Sequence, residues 1–84
     1  SALAAMAELM PSLQALTNSL AEEIESGKLS INMEPRGLVV SLKEAAFFPP
    51  AGDTINPEAY PIIQKIAESA RQLSNKILLE GHTD

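Results

Sequence analysis

The residues equipped for chemistry gather at the C-terminal end of the chain, where Gly81 is followed by His82, Thr83 and Asp84. They supply an imidazole, a hydroxyl and a carboxylate, the vocabulary of hydrolysis. Nucleophilic catalysis, though, needs a base to meet a nucleophile across space, and adjacent residues on a loop rarely point together. His82 is the only histidine and cysteine is absent, so a zinc site would rest on carboxylates alone, which zinc rarely uses. The group therefore reads as a binding loop, not a catalytic one, and no metal or cofactor is expected. His82 is expected to be a hydrogen-bonding support beneath the loop. Asp84 reads either as a binding carboxylate or as the cap of a following helix.

Something must carry that loop. After Lys76 the run Ile77, Leu78 and Leu79 stops at Glu80 and Gly81, the pattern of a buried strand that ends at a surface loop. A second group with binding potential is the pair Phe47 and Phe48, followed by Pro49, Pro50 and Gly52 in the connection over residues 43–55. Two aromatics ahead of two prolines cannot continue a ladder. Either the aromatics plug the end of the core, or Phe48 and the turn after it form one wall of a pocket.

Residues 28–42 alternate with a period of two. Leu29, Ile31 and Met33 precede the tetrapeptide Glu34-Pro35-Arg36-Gly37, and Leu38, Val40 and Leu42 follow it. Proline second and glycine fourth are turn chemistry, so the segment predicts a β-hairpin. Val39, apolar on the opposite face, marks the second strand as the central one, covered on both sides. Asn56, Pro57 and Glu58 have the composition of a helix start. Pro61 predicts an irregular first turn, with regular helix only from about residue 61. Ile62, Ile63, Ile66, Ala67, Ala70 and Leu73 form the apolar face of this helix. Gln64, Lys65, Glu68, Arg71 and Gln72 form the solvated one, and Ser74 and Asn75 end it. Strand, strand, helix, strand gives a βαβ unit, with a right-handed crossover, if the two strands that flank the helix lie parallel.

Ahead of the hairpin, Leu3, Met6, Met10, Leu13, Leu16, Leu20 and Ile24 recur at spacings of three and four, the period of an amphipathic helix. Pro11 predicts a kink or two abutting helices near Met10, and Gly27 the C-terminal cap. Glu22, Glu23 and Glu25 fall in the last turns, where the helix dipole disfavours them. The stripe is expected to pack on the sheet or on a second copy of itself. The chain thus divides into an amphipathic helix over residues 1–27 and an α+β portion over residues 28–84.

Eleven carboxylates against six basic residues leave a net charge of −5 without a basic cluster, which excludes nucleic acid as a partner on electrostatic grounds. The 84 residues bound the chain to one small domain or part of one. No apolar run approaches the roughly 20 residues that span a bilayer, and no signal peptide is visible. Any membrane anchor is expected upstream of Ser1.

From about Arg36 to Asp84 the chain resembles the first half of an OmpA-like peptidoglycan-binding domain. The likeness is carried by the strand over residues 36–42, the aromatic turn over residues 47–52, the helix opened by Asn56, Pro57, Glu58 and Ala59, and the strand that ends in Glu80-Gly81-His82-Thr83-Asp84. The lead-in helix and the run from Arg36 to Leu42 are most similar to the MotB branch, the wall-anchoring subunits of flagellar motor stators. The resemblance implies an OmpA-like βαβ sandwich and non-catalytic binding of the peptide stem of peptidoglycan. It implies that Asp84 receives the ammonium group of diaminopimelate, that Thr83 and Phe48 complete the pocket, and that Gly81 and His82 support it. A later arginine would hold a carboxylate of the same ligand; together with the second helix and last strand of the family fold, it would follow residue 84. A zwitterionic head is best held by one fixed anion and one fixed cation.

The resemblance further implies a periplasmic domain of a bacterial inner-membrane protein, a homodimer, and an ion-channel partner engaged through an upstream membrane segment. The spacing from Phe48 to Gly52 is one residue longer than is usual in the family, so that wall of the pocket is expected to differ. Two alternatives stand beside this reading. One is a tether of the outer-membrane OmpA or Pal type. The other is a dimerisation module without wall binding, driven by Leu13, Leu16, Leu20 and Ile24.

Overall fold

The period-two segment folds as the alternation predicts. Strand β1 (Leu29–Glu34) and strand β2 (Gly37–Lys43) pair antiparallel, from Leu29 opposite Leu42 to Glu34 opposite Gly37. In the computed structural model, which describes residues 1–50 and 54–83, Pro35 and Arg36 make the turn. Gly37 closes it for two reasons. Its φ of +127° is one that L side chains rarely adopt, and a Cβ there would lie 2.8 Å from the carbonyl oxygen of Lys76. That carbonyl accepts the N–H of Leu38 at 3.2 Å, so the close approach starts the next strand pairing.

Strand β3 (Ile77–His82) runs parallel to β2, from Leu38 opposite Ile77 to Lys43 opposite His82, and the sheet order is β1-β2-β3. The central position of β2 and the βαβ connection follow the expectation. The burial of β3 does not: Ile77 and Leu78 are half-buried and Leu79 is 54% exposed. The physical reason is position, because β3 is an edge strand among the described residues and has a neighbouring strand on one side only. Its hydrogen bonding also runs two residues further than expected, so Gly81 and His82 belong to the strand and not to the loop.

The pleat puts Leu29, Ile31, Met33, Leu38, Val40, Leu42, Ile77 and Leu79 on one face. Against it pack helix α1 (Ala2–Ser19) and helix α4 (Ala59–Gln72), with the core made by Leu16, Leu20, Leu29, Leu38, Val40, Phe47, Ala59, Ile62 and Ile66. No helix or strand among the described residues covers the opposite face. Val39 is nonetheless fully buried there, flanked in register by Asn32 and Leu78. Arg36 donates to Glu34 at 2.9 Å and to Glu80 at 2.5 Å. Glu34 is level with Gly37 and Glu80 with Ser41, so the guanidinium bridge passes over the level of Val39. Both carboxylates raise the pKa of Arg36, that of Glu34 most.

The N-terminal helix departs from expectation in its break point. Capped by Ser1, whose hydroxyl oxygen accepts the N–H of Ala4 at 3.2 Å, α1 continues through Pro11 and ends at Leu20, after which a short helix α2 (Ala21–Glu25) begins. Pro11 lies on the exposed side, and the carbonyl it deprives belongs to exposed Ala7, where solvent can reach it. The break moves Glu22 and Glu23 from a disfavoured C-terminal position into the first turn of α2. Gly27 then ends α2 as expected, at φ +77°, with Lys28 N–H on the Glu23 carbonyl at 2.9 Å and Gly27 N–H on the Ile24 carbonyl at 3.1 Å. That is the paired bonding of a Schellman cap.

The stripe is only half used. Leu13, Leu16, Leu20 and Ile24 pack on the core, joined by Leu9, which lies outside the expected row. Leu3, Met6 and Met10 remain exposed at 79%, 50% and 53%. Two polar contacts fasten this helical arm: the buried Ser12 hydroxyl donates to the side chain of Asn75, and Lys65 donates to Glu23 at 3.0 and 3.2 Å. The Lys65 bond holds the Glu23 carboxyl below its ordinary value against the opposing effect of burial.

Helix α4 starts at Ala59, two residues earlier than expected. With Glu58 as its cap, Pro61 is only the third helical residue, and its missing N–H is one of those a helix start leaves free. Asn56 does not cap with its side chain. Its amide donates to the Ala46 carbonyl at 3.4 Å, while its own carbonyl accepts the N–H of Ala59 at 2.8 Å. Ala67, expected on the apolar face, is exposed. No helix among the described residues is long and apolar enough to cross a membrane.

Candidate functional site

The parallel strands β2 and β3 end side by side, at Lys43 and His82. The carboxyl ends of parallel strands are where loops most often build sites. Directly after Lys43 the chain turns into a single helical turn, α3 (Glu44–Phe47), closed by the N–H of Phe48 on the Glu44 carbonyl at 2.8 Å. This turn was not foreseen in the connection. It sends the two aromatics in opposite directions: Phe47 is 1% exposed and plugs the core, whereas Phe48 is 43% exposed. Phe47 thus plugs the end of the core, as the first reading of the pair has it, and Phe48 is left exposed. Asn56 pins the far end of the loop, its N–H donating to the Phe47 carbonyl at 2.7 Å.

Phe48 and Thr83 line one open cleft of about 480 Å³, together with Glu44, Ala45, Pro49 and Pro50. An adjoining hollow of about 300 Å³ shares Glu44 and Phe48 and is otherwise lined by Leu42, Phe47, Leu79, Glu80 and Gly81. Of the residues singled out by sequence, Phe48, Thr83 and Gly81 are thus gathered at one end of the sheet. Asp84 lies outside the described residues. His82 lines neither hollow: it is exposed, level with Lys43 on the opposite face of the sheet. It therefore does not lie beneath the loop as expected, because the strand continues through it and the pleat turns it away.

Pro49 and Pro50 belong to the turn named with Phe48 from the sequence, whereas Glu44 and Ala45 were not singled out. The one available signal was Glu44 itself, which follows Lys43 and breaks the alternation of β2. Chemically the cleft combines an apolar wall with a carboxylate and a hydroxyl. Among the described residues no three histidine, aspartate or glutamate side chains converge as a metal site. A third hollow, of about 310 Å³, lies between α1 and the β1 end of the hairpin, lined by Ala2, Ala5, Met6, Leu9, Met33, Glu34 and Pro35. It is apolar apart from Glu34 and offers little to orient a small ligand. Comparison with family models, with curated proteins and with solved structures yields no match to this chain.

Proposed function

We propose that the chain is a non-catalytic binding module for the peptide stem of peptidoglycan, of the OmpA-like kind and closest to the MotB branch, anchoring a flagellar stator to the cell wall. The observation that carries the reading is the cleft that joins Phe48 to Thr83, because the turn and the strand end of the resemblance are distant in sequence and adjacent in space. In this reading Asp84 takes the ligand ammonium, Thr83 and Phe48 complete the pocket, and Gly81 leaves room at the strand end. A periplasmic location, an upstream membrane segment and an ion-channel partner belong to the same proposal. Co-sedimentation with purified diaminopimelate-type sacculi tests it, with Asp84→Ala as the comparison and circular dichroism as the check of fold. Binding by the wild type that Asp84→Ala abolishes is the expected result; a folded chain that stays in the supernatant overturns the reading.

Self-association through α1 is a second reading, favoured by a different surface from the one expected. Leu16 and Leu20 are fully buried and Leu13 and Ile24 pack on the core, so that stripe is committed within the molecule. The exposed row is Leu3, Met6 and Met10.

A further inference from the structure

We propose that Glu44 is a second anionic determinant of the cleft, selecting ligands that carry a free primary ammonium group; the inference rests on the wall-binding reading. Glu44 lines both hollows at the ends of β2 and β3. Its carboxylate has no hydrogen bond or ion pair among the described residues, so its acceptor capacity is open to a ligand.

Its position is built and not incidental. The first turn of α3 fixes its backbone, and its side chain lies across the end of β3: a Cβ on Gly81 would sit 3.5 Å from Glu44 Cγ and 3.8 Å from Oε1. These are ordinary van der Waals distances, so the Glu44 side chain lies against the end of β3. Phe48, Pro49 and Pro50 supply the apolar side of the cleft, and Phe48 is the exposed ring. A carboxylate beside an exposed aromatic ring suits a cation, through a charge-assisted hydrogen bond from one and quadrupole attraction from the other. The ammonium at the free end of an uncrosslinked peptide stem has that chemistry. Once the same nitrogen is acylated in a crosslink, it is neutral and the attraction is lost.

The test compares native sacculi with sacculi whose free amino groups have been acetylated, for wild type, Glu44→Gln and Glu44→Asp. Wild type is expected to bind native sacculi and to lose affinity for acetylated ones. Glu44→Gln should bind native sacculi about fivefold more weakly, the worth of one solvent-exposed charge-assisted contact. It should also show a smaller loss on acetylation, whereas Glu44→Asp, which keeps the charge, recovers most of the affinity. Equal binding of native sacculi by wild type and Glu44→Gln overturns the role of Glu44. Equal binding of native and acetylated sacculi by wild type overturns the ammonium assignment. In both cases wall binding itself survives, because the wild type still binds, although the second outcome also removes the ammonium role given to Asp84. A wild type that binds no sacculi brings down that reading and this inference together.

Discussion

Single residues in this chain are constrained from two directions, and only one of them is visible in a sequence. Gly37 was legible as a turn residue because it closes Pro35-Arg36, but its second constraint, the Lys76 carbonyl 2.8 Å from where a Cβ would stand, is tertiary and leaves no local trace. Gly27 has a left-handed φ as well, with nothing within 4 Å. Gly37→Ala should therefore cost about 2 kcal/mol or more, and Gly27→Ala about 1 kcal/mol. Urea denaturation checks this as two midpoint shifts at unchanged slope; equal shifts would show that the Lys76 approach is inconsequential. The division of labour between Phe47 and Phe48 was likewise only half legible. Two adjacent aromatics announce that something is plugged or walled, and which ring does which depends on the turn of α3.

Secondary structure was legible wherever a local period sets it. The hairpin, the central place of β2 and the helix between β2 and β3 follow from alternation and helical spacing, and all are present; the parallel direction of β3, which the period leaves open, is fixed by its pairing with β2. What the period could not show is where the layers end. Leu79 reads as core by type and lies at an open edge. The N-terminal helix breaks at Leu20 instead of near Pro11, since the exposed side tolerates a lost hydrogen bond and the path of the chain towards β1 sets the bend. The clasp between α2 and α4 follows from that bend, because Glu23 reaches Lys65 only after it. The Glu23 carboxyl has its pKa lowered from 4.5, chiefly by the Lys65 bond. A lowered carboxyl contributes stability that is present above its unfolded value and is lost as pH falls through the folded one. Lys65→Met should thus be less stable than wild type by about 1–2 kcal/mol at pH 7, with Glu23 left buried and unpaired. The gap should close below the ordinary value of 4.5. Thermal melts from pH 7 down to pH 3 check it, and a gap that persists unchanged at the acid end would discard the clasp.

The whole molecule is longer than its length requires. Its radius of gyration is 13.4 Å and its extents are 45 × 23 × 20 Å, against about 12 Å of radius for a compact chain of this size. The excess comes from α1, whose first half reaches past the core with Leu3, Met6 and Met10 exposed. If that row drives self-association, sedimentation equilibrium should show a mass rising with concentration above the 9.0 kDa of one chain, and Met6→Glu with Met10→Glu should hold it at the monomer. A wild type that stays monomeric at high concentration removes the second reading. The same overhang sets how the molecule would answer mechanical load. A pull between Ser1 and the cleft meets no core residue until Leu9 and no buried polar fastening until Ser12 grips Asn75. The stretch ahead of Leu9 is about 12 Å of helix that would lengthen to roughly 27 Å when drawn out. The domain therefore has slack in series with a stiff sheet, so a sudden tug would unwind about two turns of helix before the strain reaches the strands that end at the cleft.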